Sequence, residues 1–356
     1  MIYKNLDFQK ISELLIQVSE EIILPRHKKL RSIDISNKGH GELVTIADTE
    51  TEQWLSNELR SLFPGSVFIG EEDTYNNEES FKVLNENLFK VHPYKDQVIG
   101  EMEHLDAATL EEFREYHKTY YGPNNAVLIV AGDIDSAETE KLVRKYFDEV
   151  PTGNVVERNF PMEEPITENT KAVAYDENIQ IPMLLATFRT PGFANRDSYV
   201  LDMISTYLSD GKSSVLYKKL VDDQKQALQT QVINLGQVDY NIFAILALPL
   251  GEVELDTLLE EIEEEITKVQ NELISERSYQ KLLNKFENQF VNSNSSIAGI
   301  ANSLARYYML YGDVNLINEQ IDIYRSITRE EIQMVAKKYL SKNQRVDIEY
   351  LPEPSK

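Results

Sequence analysis

Apolar positions recur at a helical period along most of the chain, separated by short apolar runs that read as strands. From Leu6 to Leu30, Phe8, Ile11, Leu14, Leu15, Val18 and Ile22 fall on one helical face. A second helix is predicted from Asp48 to Leu62, stopped by Pro64-Gly65, and a short strand from Ser66 to Ile69. Residues 74–87, TYNNEESFKVLNEN, are polar and weakly patterned and read as a boundary. Beyond it, Thr109 and Glu112 form a capping box that opens a helix with Leu110, Phe113, Tyr116, Tyr120 and Tyr121 as its stripe. Gly122-Pro123 ends that helix, and Ala126–Ala131 (AVLIVA) reads as a buried strand. Further helices are predicted at 135–147, 195–208, 214–221, 255–269, 276–290, 297–309 and 328–340. Strands are predicted at 172–175, 183–190, 228–235, 243–248 and 346–350, with 228–235 and 241–248 as a hairpin. Helices and strands mix without a βαβ rhythm, so the class expected is α+β.

One stretch repeats. TLEEFREYHKTYYGPNNAVLIV (109–130) lies over TREEIQMVAKKYLSKNQRVDIE (328–349) at an offset of 219 residues. The threonine, both glutamates, Lys118/Lys337, Tyr120/Tyr339, Asn124/Asn343, Val127/Val346 and Ile129/Ile348 coincide. Each unit is a capped helix, a tight turn and a strand. Two copies of one domain type are therefore expected, the first cut short on its N-terminal side.

Composition narrows the function. Of 356 residues, 42% are apolar, enough for a sizeable core and enough length for two or three domains. With 36 basic against 60 acidic residues the formal charge is −24, which repels phosphate backbones and argues against nucleic-acid binding. There is no cysteine, so disulfides and thiolate sites are excluded. No apolar run is long enough to span a membrane. The opening segment carries no basic stretch followed by an apolar one, and the cytoplasm is the default expectation.

Residues 92–135, HPYKDQVIGEMEHLDAATLEEFREYHKTYYGPNNAVLIVAGDID, resemble the end of the first domain of a pitrilysin/insulinase-type zinc peptidase. Residues 197–223, with the GKSS-LY turn into a helix, resemble the opening of that family's second domain. The resemblance implies a pair of homologous α+β domains and peptide hydrolysis inside a chamber of four such domains. An exported location is compatible with it. It also implies a zinc site on an H-x-x-E-H helix, where two histidines one turn apart bind the metal and a glutamate activates water. The five histidines here, His27, His40, His92, His104 and His117, form neither that motif nor its inverse. His92, His104 and His117 are expected as surface or packing residues. The family's substrate-holding arginine and tyrosine, seven residues apart, fall here on Val221 and Leu228. The resemblance thus implies an inactive chain, a wall of a peptide-binding chamber whose partner is a peptide or a second subunit carrying the Arg/Tyr pair. GKSS at 211–214 is not a phosphate loop, because Thr206 stands where its first glycine is needed and the upstream segment is helical.

Residues 23–73 resemble the N-terminal part of the inositol monophosphatase family, through Lys38, Leu43-Val44-Thr45, Asp48 and Gly70-Glu71-Glu72. That family is magnesium-dependent, and the resemblance implies Glu71 as a residual metal ligand. Its D-P-x-D-G-T and W-D-x-A-A-G segments are absent, so no cofactor is expected in this chain, neither the magnesium of one family nor the zinc of the other. The expected organisation is a partial α/β phosphatase-like fragment over 1–85, the truncated first peptidase-type domain over 90–155 and a complete second α+β domain over 160–352, with the junction between about Glu79 and Val91. Alternatives are a magnesium-dependent phosphatase remnant, or a chimeric gene product with no native function.

Overall fold

In a computed structural model, the described residues are 76–98, 100, 102–154, 158–176 and 179–353, with 10, 14, 16–23, 25, 35–37, 43–45, 51, 54 and 55. The chain divides into two compact units. One comprises Met1–Phe81 with Gln97–Ala108, the other Lys82–Asp96 with Thr109–Lys356.

In the first unit, residues 16–23 are helical and end in a wide π turn over Ser19–Ile23, with Val18 and Ile22 buried. Strands β1 (Ile35–Asn37) and β2 (Leu43–Thr45) pair antiparallel, Ile35 opposite Thr45. The strand expected at 66–69 and the metal ligand Glu71 lie outside the described residues.

Helix α1 (Asn76–Leu88) runs through the segment expected as a polar boundary. Leu84 and Leu88 of its last turns are buried, and the polar sequence before them hid the helix. Short helix α2 (Met102–Ala107) follows. Helix α3 (Leu110–Tyr120) opens at the expected capping box. Thr109 N donates to Glu112 Oε2 at 2.7 Å, and Glu112 N donates to Thr109 Oγ1 at 3.3 Å. Helix α4 spans Ser136–Phe147.

The second unit is built on a five-stranded sheet of order β3-β7-β4-β6-β5. Its strands are β3 (Thr170–Asp176), β4 (Met183–Pro191), β5 (Ala227–Leu235), β6 (Tyr240–Pro249) and β7 (Arg345–Pro352). Only β3 and β7 are parallel, and β5 and β6 form the expected hairpin. The near-continuous apolar runs of β4 and β6 place them centrally, because a central strand covered on both faces needs no polar alternation. The helices are α5 (Arg196–Ser209), α6 (Leu255–Asn271), α7 (Glu276–Ser293), α8 (Ile297–Tyr311), α9 (Leu316–Ser326) and α10 (Arg329–Tyr339). Sequence periodicity gave all but α9.

Alternate residues of β4 and β6 serve two cores. Leu184, Phe188, Phe243 and Ile245 pack with Val200 and Ile204 of α5, Leu258 and Ile262 of α6, and Ile332 and Val335 of α10. Leu185, Ile242, Ala244, Val346 and Ile348 face the other way, under Leu84, Leu88 and Phe89. Glu163 clamps that cover in place. Its Oε1 accepts the backbone N–H groups of Lys90, Val91 and His92 at 2.7, 2.7 and 2.8 Å, and Arg189 Nη1 reaches its Oε2 at 3.1 Å. Both partners are almost wholly buried, a setting where a charge is tolerated only when paired.

The strand expected at 126–131 is not formed. This segment joins neither sheet and is half-buried to exposed throughout. Its apolar alternation is a strand pattern, but a strand needs a neighbour, and among the described residues none pairs with it.

Candidate functional site

The histidines come first. His92 is buried between Phe89, Tyr94, Phe160 and Tyr240. Its Nδ1 accepts from Tyr94 N at 3.2 Å, and its Nε2 lies 3.3 Å from Asp239 Oδ2. It is a packing residue. His104 and His117 are exposed, and His117 stacks on Tyr121 at 5.1 Å between ring centroids. His27 and His40 lie outside the described residues. Among the described residues, no three of His, Cys, Asp and Glu are grouped to hold a metal.

The second element implied by the peptidase resemblance falls on a π turn. Tyr217–Asp223 is wound wide, closed by Gln224 N donating to Lys219 O at 2.9 Å. Lys225 then takes a left-handed conformation (φ 53°) and turns the chain into β5. Val221 sits half-buried on that turn, and Leu228 is exposed at the start of the edge strand. Neither side chain donates a hydrogen bond, so this pair cannot grip a peptide carbonyl or a developing oxyanion as an arginine and a tyrosine would.

A cavity of about 590 Å³ opens beside this turn. The end of α5 supplies Tyr207 and Asp210, the GKSS loop supplies Ser213, the turn supplies Lys218, and α7 supplies Arg277, Lys281 and Lys285. Arg277, Lys281 and Lys285 stand four residues apart and therefore share one face of α7. Lys281 Nζ donates to Ser213 Oγ at 2.6 Å, and Lys285 pairs with Asp210. No carboxylate of the described residues lies within 4.0 Å of the charged nitrogens of Lys218, Arg277 or Lys281.

A smaller cavity of about 280 Å³ lies among Tyr199, Tyr307, Tyr311 and Tyr324, with Asp202 and Arg306 on its wall. Asp202 accepts from Asn234 Nδ2 at 2.8 Å and from Tyr324 OH at 3.0 Å. Burial raises the Asp202 carboxyl and pushes the Tyr324 phenol well above its ordinary range, so both hold their protons more tightly than in water. Asp202 is fully engaged by its neighbours, which makes this a structural network rather than an open acid.

Sequence reasoning located the turn at 211–214 and the positions Val221 and Leu228. It missed the cationic cavity. The signal for one side of it, three cations at a spacing of four, was present in the sequence, but its meeting with Lys218 and Ser213 is a product of the fold.

The described residues of the second unit form an α+β domain with a five-stranded mixed sheet and a helical cover, with Val221 and Leu228 at the Arg/Tyr positions. The profile described as "Peptidase M16 inactive domain" matches residues 107–286, half of the chain. The chain belongs to that family. The zinc protease PqqE of Helicobacter pylori is 26% identical over 268 residues, 74% of this chain and 60% of that protein. The uncharacterized zinc protease YmfH of Bacillus subtilis is 24% identical over 258 residues, 70% of this chain and 58% of that one. The chain thus spans about three fifths of the length of these two relatives. Among solved structures, a protease from Helicobacter pylori superposes with a TM-score of 0.66 at 21% identity, covering 86% of this chain and 78% of that one. A peptidase M16 inactive domain from Pseudomonas fluorescens gives 0.69 at 13% identity, covering 88% and 72%. These likenesses show the fold. No helix among the described residues is long and apolar enough to cross a membrane.

Proposed function

We propose that this chain is a non-catalytic member of the M16 peptidase family whose second domain, 160–352, forms one wall of a peptide-binding chamber. The observation that carries this reading is an intact sheet and helical cover combined with a sequence that lacks H-x-x-E-H and has Val221 and Leu228 at the Arg/Tyr positions. A second peptidase-type subunit bearing the Arg/Tyr pair is the partner this implies, with an unfolded peptide as the shared ligand and no nucleic acid. On this reading residues 90–155 are the end of a truncated first peptidase-type domain. The phosphatase-like resemblance of residues 1–85, with Glu71 as a residual magnesium ligand and a fusion between two families, rests on sequence alone. Release of phosphate from an inositol phosphate in magnesium would support it.

The test of the main reading is incubation of the purified chain with an unfolded peptide and zinc, with and without a chelator. The expected outcome is binding without cleavage. Zinc-dependent cleavage abolished by the chelator would overturn it.

A further inference from the structure

We infer that the cavity between the GKSS loop and α7 is a docking site for side-chain carboxylates of an acidic peptide segment. The inference rests on the chamber-wall reading and adds a substrate class to it.

The argument is one of charge and place. This chain carries 60 acidic against 36 basic residues, so a basic side chain generally has carboxylates at hand. Around this cavity it does not. Lys285 is neutralised by Asp210, while Lys218, Arg277 and Lys281 have no carboxylate within 4.0 Å among the described residues. All three are exposed, so none incurs the desolvation cost that would make an unpaired cation a defect. They come from two different elements and converge on one concavity of about 590 Å³, large enough for two or three side chains. The GKSS loop that precedes the turn is fixed. Gly211 takes a left-handed turn (φ 84°), Ser214 N donates to Gly211 O at 3.0 Å, and Ser213 Oγ is held by Lys281. A concave surface focuses the field of its charges, and here the local positive field opposes that of the whole protein. A peptide with closely spaced Asp or Glu residues complements it.

The experiment uses the full chain and two labelled, unstructured, C-terminally amidated peptides that differ only in Glu against Gln at four positions. Binding is read by fluorescence anisotropy at low and at high salt. The Glu peptide should bind roughly tenfold tighter at low salt, with the advantage largely lost at about 0.5 M salt. Arg277→Gln with Lys281→Gln should remove most of that advantage, Arg277→Glu should favour the Gln peptide, and Lys145→Gln, on α4, should leave the advantage intact. Each variant's melting temperature checks folding. Equal binding of the two peptides, or an equal loss in Lys145→Gln, overturns the acid preference while the chamber-wall reading stands. Binding of neither peptide overturns both.

Discussion

Two segments with the same local sequence signals end in opposite environments. Residues 109–130 and 328–349 each start with a threonine cap, wind eleven residues of helix, turn through a short 3₁₀ segment at 123–125 or 342–344, and continue into an apolar alternation. In the second segment Ile332 and Leu340 are 1% and 2% exposed, and Val346 and Ile348 are buried in β7. Their counterparts Phe113 and Tyr121 are 55% and 69% exposed, and Val127 and Ile129 pair with no strand among the described residues. Even the caps differ. Glu112 turns back to its own cap, whereas Glu331 is drawn away by Arg196, whose Nε lies 2.6 Å from it. Local signals make the helix and the turn. The strand and the burial are supplied by β3, β4, α5 and α6, which the first segment lacks among its described neighbours. This is why most helix stability is tertiary rather than intrinsic.

Substitutions sharpen that comparison. The largest contrast is Ile332→Ala against Phe113→Ala. The first removes a fully buried side chain and should cost about 3 kcal/mol, while the second should stay within about 0.5 kcal/mol, measured by urea unfolding of the whole chain. Equal costs would show that the 109–130 face is covered in solution.

Next comes the Glu163 clamp. Glu163→Ala strips the acceptor from three backbone N–H groups and leaves Arg189 buried without its partner. It should cost about 3 kcal/mol. Burial alone would raise the Glu163 carboxyl, but the amides of His92, Val91 and Lys90, together with Arg189, outweigh it and hold it below its ordinary value of 4.5. A carboxylate whose folded value is depressed stabilises above its unfolded value and loses that contribution as pH falls through the folded one. The wild-type chain should therefore lose more stability below about pH 4.5 than Glu163→Gln does. Parallel acid titrations of the two would contradict the clamp.

A smaller effect separates the turns. Asn124 Nδ2 and Oδ1 bridge Gly153 O and N at 2.9 Å each, the long-range tie of the first turn. Asn124→Ala should cost about 1 kcal/mol or less and change neither the acid profile nor the protection of β7. Smallest are the caps. Thr109→Ala and Thr328→Ala should each remove about 0.5 kcal/mol from their own helix, but the Thr109 loss should appear as local fraying and the Thr328 loss in global unfolding. The amide exchange rates of the two helices distinguish them.

Much of the second unit could be read from the chain before folding. The period of α5, α6, α7 and α10 and the β5–β6 hairpin are set by which side chains must be covered. What could not be read depended on partners. Helix α1 has few apolar residues, and its Leu84 and Leu88, with the following Phe89, find the sheet's second face only once β4, β6 and β7 exist. Helix α9 was hidden because only Ile321 and Tyr324 of its eleven residues are buried. The AVLIVA run read as a buried strand because pattern reports what a segment could pair with, not whether the pair is present. At the site, the absence of H-x-x-E-H and the residues Val221 and Leu228 were legible directly. The carboxylate-binding cavity was not, since convergence of Lys218 with α7 is a tertiary event.

The most direct test of the account is native-state hydrogen exchange at the two matched apolar segments. The amides of 346–350 should be protected to nearly the global unfolding free energy, and those of 126–130 should exchange close to the rate of an unstructured chain. Comparable protection of both would mean that the first segment is paired in a sheet, and the contrast drawn between the two copies would fall.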